Sequence, residues 1–172
     1  MDMTTFNLRH LKLRSGEQFR DTIDVQLEPL VLGGSDYLPV PAEVPAELTV
    51  TKATTGSVYQ LSFRARLHGP CFRCLRDSVL DQAVDAREYQ ATNPEGRDEL
   101  RTPYLSENLL DVHGWARDAI ALAVPEQILC RDDCAGLCPM CGKDLNVDPH
   151  EHEEEHGDPR WSVLAELRER LE

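Results

Sequence analysis

Residues 57–74 read SVYQLSFRARLHGPCFRC, and their pattern decides the fold. Val58, Gln60, Ser62, Arg64 and Arg66 fall on one side of an extended chain, and Tyr59, Leu61, Phe63, Ala65 and Leu67 on the other. A period of two with one apolar row is the pattern of a half-buried strand. The alternation ends at His68-Gly69-Pro70 and runs directly into Cys71-Phe72-Arg73-Cys74, which places a CxxC pair on a turn at a strand end.

Such a strand needs neighbours. Upstream, FNLRHLKL (6–13), DTIDVQLEPL (21–30) and AELTVTKATT (46–55) carry short alternating runs, and the turn SGEQ (15–18) predicts a hairpin between the first two. The Gly- and Pro-rich residues 31–47 read as a connection. Downstream, 79–89 reads as a further strand, with a helix as the alternative because Val79, Ala83 and Ala86 are less regular. Residues 91–107 read as a polar loop. Asp111 is placed to cap a helix on which Val112, Trp115, Ala116, Ala119, Ile120 and Ala123 recur at three- and four-residue intervals, with Pro125 limiting it. Asp158-Pro159 starts a short final helix carrying Trp161, Leu164 and Leu171. The expectation is an α+β protein: an antiparallel sheet or partly closed barrel, one or two helices, and a small zinc-binding C-terminal appendage. The predicted division is 1–129, β-rich with a helix near 111–124, and 130–172, a cysteine/histidine segment with the short C-terminal helix.

The second decisive stretch is Cys130 to His152, CRDDCAGLCPMCGKDLNVDPHEH, which holds four of the six cysteines. A CxxC turn presents two thiolates from one reversal of the backbone, as tetrahedral zinc requires. In Cys138-Pro139-Met140-Cys141-Gly142, Pro139 stiffens the turn and Gly142 permits a positive φ. Further ligands within reach are His150 and His152, with eight residues between Cys141 and the first of them. The reading is a local site of Cys138, Cys141, His150 and His152, and a second of Cys71, Cys74, Cys130 and Cys134 that closes 55 intervening residues and staples the chain. Arg73, Arg76 and Arg131 would offset the net −2 of zinc held by four thiolates. Two rivals stay open at this point: exchanged pairs, and one ion held by the four clustered cysteines while His150 and His152 belong to a solvated acidic tail.

With 172 residues and 41% apolar content the chain can bury a real core. The start MDMTTFNLRHLKLRSGEQF lacks a basic and then apolar leader, and no apolar run approaches membrane-spanning length, so a cytoplasmic protein off the membrane is expected. Formal charge is −13, unevenly spread: residues 1–66 carry 7 basic and 8 acidic residues, the remainder 11 and 23. That sign disfavours direct rRNA contact, since nonspecific affinity for nucleic acid comes from Lys and Arg displacing counterions. An HxE upstream of the PCxxC, which zinc deaminases need, is missing, as are a GxGxxG, a P-loop and a nucleophile elbow. Sites with four protein ligands leave no open coordination position, so no enzymatic activity is expected.

Together, Cys71 to Leu75 (CFRCL), Cys130 to Asn146 (CRDDCAGLCPMCGKDLN) and Asp158 to Trp161 (DPRW) resemble the YceD-like proteins, the large ribosomal RNA subunit accumulation proteins. Many relatives carry CxC where this chain has His150-Glu151-His152, which keeps two ligands, and some lack the GLCPxCG insert. The resemblance implies a role in accumulation or processing of 23S rRNA and in large-subunit assembly; the residues' own pattern adds the expectation of a non-enzymatic factor with one or two structural zinc ions. Its acidic surface would engage a basic ribosomal protein or a pre-50S particle. The alternatives are a zinc-dependent RNA-binding or RNA-processing protein, and a zinc-stabilised interaction module unrelated to ribosomes.

Overall fold

The computed structural model describes residues 5–94 and 96–152. The chain divides into two compact units, Met1–Cys134 and Ala135–Glu172. The first unit takes in Cys130 and Cys134, beyond the 129/130 division read from the sequence, because both pack with the Cys71–Cys74 turn.

The first unit is built on two 15-residue strands, β6 (Gly56–Pro70) and β7 (Asp77–Ala91), paired antiparallel over their whole length. The other edge of β6 is shared. β5 (Glu43–Lys52) pairs with its first half and β4 (Ser35–Pro39) with Leu67 and His68; β2 (Gln18–Gln26) lies outside β5, and β3 (Leu30–Leu32) outside β4. A small second sheet joins β1 (Thr5–Asn7), β9 (Leu109–Asp111) and β8 (Leu105–Ser106). The β6 alternation holds as read: Tyr59, Leu61, Phe63, Ala65 and Leu67 are all buried. They meet Val44, Ala46, Leu48 and Val50 of β5 and Trp115, Ala116, Ala119 and Ile120 of α1 (Val112–Ala123) in one core. Burial of each large apolar side chain there contributes about 1.5–3 kcal/mol.

α1 forms where expected. Asp111 Oδ1 accepts from Gly114 N at 2.9 Å, and Pro125 follows the last turn, which Val124 N closes onto Ile120 O at 3.0 Å. The helix packs against β1, β2 and β7 and covers one face of the sheet. α1 is the single α-helix among the described residues; the helix expected from Asp158 lies outside them.

Several sequence readings are corrected. The pairings form antiparallel sheets without closing a barrel among the described residues. The hairpin across SGEQ does not form: β1 is only three residues long and pairs with β9, while β2 pairs with β5. The two segments meet by side chains instead, Phe6 and Phe19 lying 5.9 Å apart. The 31–47 connection contains β4 and the start of β5, because Tyr37 and Val44 have buried places in the core that outweigh the local prolines. The 91–107 loop includes β8 and a 3-10 turn at Asp98–Leu100.

At the end of β6 the packing leaves no room for a side chain at Gly69. A Cβ there would overlap the Tyr37 ring and sit 2.9 Å from the Asp36 carbonyl oxygen. Gly69→Ala is expected to cost about 1–3 kcal/mol, the usual cost of overpacking, as a lower urea midpoint with unchanged slope.

Candidate metal centres

The first centre starts where β6 runs out. Tyr37 Oη donates to Pro70 O at 2.8 Å and fixes the strand end one residue before Cys71. The chain then reverses: Leu75 N donates to Cys71 O at 3.0 Å, and Cys71 N to Arg76 O at 2.7 Å. This requires a positive φ of 59° at Leu75, a conformation that costs a non-glycine residue about 1–2 kcal/mol. Across from it, Phe72 N donates to the carbonyl oxygen of buried Ile128 at 2.8 Å. That bond pins the turn to the segment leaving α1 and so delivers Cys130 and Cys134.

The four sulfurs converge, all within 4.8 Å of one another. Cys71 and Cys134 are 3.8 Å apart, Cys74 and Cys130 3.6 Å, and all are free thiols. A tetrahedron of sulfurs at 2.3 Å from zinc has edges of about 3.8 Å, so this set fits one ion. Cys71, Cys74 and Cys134 are 0%, 4% and 1% exposed.

Burial, the largest influence on Cys71, pushes its thiol up, but backbone N–H groups of Cys74, Cys130 and Arg73 outweigh it and lower it to about 6. Cys74 is also lowered, since the Arg76 backbone and side chain more than offset its desolvation. Cys130 goes the other way: burial, then the neighbouring thiols of Cys74, Cys134 and Cys71, push it up to about 12. Four negative sulfurs this close need a cation among them. Arg73 donates to Cys134 O at 3.0 Å and Arg76 bonds to Cys74, as the charge argument required, whereas Arg131 pairs with Asp133 at 3.1 Å.

In metal-free, reduced protein these shifts fix the pH response. Cys71, depressed from 9.0, contributes stability that is complete above that value and lost as pH falls through about 6. Cys130 contributes in the opposite sense, fully below 9.0 and progressively less as pH rises through about 12. The expected result is a melting temperature that falls when reduced, chelator-treated protein is taken from pH 8 to pH 5.5, measured by calorimetry.

The second centre lies within the second unit and repeats the same turn. Gly142 N donates to Cys138 O and Cys138 N to Lys143 O, each at 2.8 Å, and Gly142 has φ 72°. These are the bonds seen from Leu75 and Cys71, with glycine where the first turn carries leucine. A Leu137–Asp144 bridge closes the loop, and Asn146 Oδ1 accepts from Ala135 N at 2.8 Å. Cys138, Cys141, His150 and His152 place one ligand atom each within 4.8 Å of the others. His150 Nδ1 lies 2.7 Å from the Asp148 carbonyl oxygen, which directs Nε2 towards Cys141 Sγ, 3.1 Å away. Orienting a ligand ring through its other nitrogen is a recurrent feature of metal-binding histidines. Cys138 is lowered to about 6, chiefly by the Cys141 backbone N–H, while Cys141 and His152 are exposed.

The eight residues singled out in the sequence thus gather as two sets of four, each able to hold a metal ion. The sequence reading did not find Tyr37 and Leu75. The Asp36-Tyr37-Leu38 alternation inside the Gly/Pro-rich connection, and the position of Leu75 immediately after a CxxC, were the available signals.

A two-knuckle α+β protein is the class these features define. Residues 59–168 match the family model described as large ribosomal RNA subunit accumulation protein YceD, and the chain belongs to that family. It is similar to uncharacterized proteins of Mycobacterium tuberculosis, 32% identical over 125 residues (70% of this chain, 60% of the relative), and Mycobacterium leprae, 29% identical over 102 residues (56% and 46%). The chain spans about 60% of the length of the Mycobacterium tuberculosis relative. No solved structure matches. No helix among the described residues is long and apolar enough to cross a membrane.

Proposed function

We propose that this protein is a non-enzymatic assembly factor of the large ribosomal subunit, acting in the cytosol to support accumulation and processing of 23S rRNA. The observation that carries this reading is the family match over residues 59–168, which takes in β6 from Tyr59 onward, both cysteine turns and the intervening helix. Zinc is the ion that suits four thiolates in one set and two thiolates with two imidazoles in the other, and each set offers four protein ligands, enough to fill its tetrahedron. Metal that is fully ligated by protein holds structure rather than activating water, which supports a binding role. A formal charge of −13 supports a basic ribosomal protein, or a precursor particle displaying one, as the partner. Depletion in the source organism is expected to lower 23S relative to 16S rRNA and to reduce free 50S subunits on sucrose gradients. Unchanged 23S levels would sink the reading.

A further inference from the structure

Along most of its length the solvent face of the main sheet is mainly polar, with Arg20, Thr22 and Asp24 of β2, Glu47 of β5, Gln60, Ser62 and Arg64 of β6, and Asp85 and Arg87 of β7, interrupted by Pro45, Val58 and Ala83. The end nearest the Cys71 turn departs from this. The pairings Leu38 with His68 and His68 with Val79 set these three side by side across β4, β6 and β7. Leu38 and Val79 are 51% and 50% exposed. In the adjoining row Val40, whose N–H bonds to Arg66 O at 2.9 Å, is 48% exposed. Three half-exposed aliphatic side chains thus gather at this end of the face, Leu38 and Val79 on either side of His68 and Val40 in the row of Arg66.

Two carboxylates border the end nearest the Cys71 turn. In the row beyond His68, Pro70 pairs with Asp77 of β7, Asp36 lies two residues before Leu38 on β4, and among the described residues neither carboxylate has a hydrogen bond or ion pair. Of the cations near this end, Arg66 pairs with Asp81 at 2.8 Å, Arg73 donates to the Cys134 carbonyl and Arg76 bonds to Cys74, while Arg64 lies two rows from His68 along the same face. A patch of aliphatic side chains around His68, bordered by two unpaired carboxylates, complements a segment whose aliphatic side chains alternate with Lys or Arg. Apolar contact would supply the affinity and the carboxylates its selection by charge.

We propose that Leu38, Val40 and Val79, bordered by Asp36 and Asp77, form the docking surface for such a basic, aliphatic-bearing protein segment. This rests on the assembly-factor reading, which makes the segment part of a large-subunit ribosomal protein.

The test immobilises the full chain, passes over it total protein extracted from purified 50S subunits, and identifies retained proteins by mass spectrometry. Wild type is expected to retain one or a few basic large-subunit proteins, and the Leu38→Glu/Val79→Glu double variant to lose roughly tenfold or more of that retention, the loss typical of a removed apolar anchor. Those substitutions add negative charge, so unspecific electrostatic capture would rise rather than fall. Asp36→Asn/Asp77→Asn is expected to weaken retention moderately and to flatten its salt dependence. Both variants change exposed side chains, and wild-type metal content and melting verify their fold. Undiminished retention by Leu38→Glu/Val79→Glu, or capture of naked 23S rRNA in place of protein, overturns the proposal. Complementation separates the two levels: 23S that is indifferent to depletion removes the ribosomal reading and this surface with it. A 23S defect fully rescued by Leu38→Glu/Val79→Glu removes the surface alone.

Discussion

Cys71→Ser is expected to lower the metal content from two ions per chain to one and to destabilise the first unit by at least about 4 kcal/mol, a loss confined to mechanisms such as metal or disulfide removal. Cys71 is fully buried, its sulfur 3.8 Å from that of Cys134, and its turn is bonded to Ile128 on the far side of α1. The centre therefore links the end of β6 to the segment after the helix. A cross-link closing the 55 residues between Cys74 and Cys130 contributes about 4 kcal/mol by chain entropy alone. Without the ion the remaining thiols stay crowded together, where burial first and the neighbouring thiols next push Cys130 up to about 12. Elemental analysis and urea unfolding of the reduced protein measure both effects. Cys141→Ser is the control: it should also remove one ion but leave unfolding of the first unit unchanged. Two ions retained in Cys71→Ser, or an unaltered unfolding midpoint, would refute a stapling centre.

What was legible in the sequence follows from how local each determinant is. The alternation of β6, the Asp111-capped period of α1 and the two CxxC turns are written within a few residues of chain, and all appear where they were read. Which strand pairs with which is not local. SGEQ is an acceptable hairpin turn, yet β2 gains nine pairs with β5, against which the three residues of β1 cannot compete. Tyr37 escaped notice for a related reason. It sits among glycines and prolines, and its value lies in covering Gly69 and holding the Pro70 carbonyl, contacts that exist only once β4 lies beside β6. The equivalence of Leu75 and Gly142 was hidden by residue type, since leucine does not advertise a positive φ and only the paired hydrogen bonds show the turns to be alike.

Challenge of the zinc-loaded protein with a chromogenic chelator is expected to release metal in two phases of one ion each, with the second centre emptying at least about tenfold faster, a difference that needs only about 1.4 kcal/mol in barrier. A chelator must reach the ion while ligands detach one at a time, so exposure of the donor set governs the rate. Three of the four donors at the first centre are buried, whereas Cys141 and His152 of the second are exposed. Protons sharpen the contrast. His150 is raised above the ordinary histidine value, first by the Asp148 carbonyl and then by Cys138, so its imidazole competes for a proton at a higher pH than a free histidine does. The sign follows: lowering pH from 7.5 to 6 should accelerate the fast phase more than the slow one, because the first centre contains no imidazole and three of its four thiols are buried. Cys138→Ser should abolish the fast phase and keep the slow one. A single phase, or loss of the slow phase in that variant, would contradict the assignment of the buried centre as the permanent staple and the exposed one as the exchangeable site.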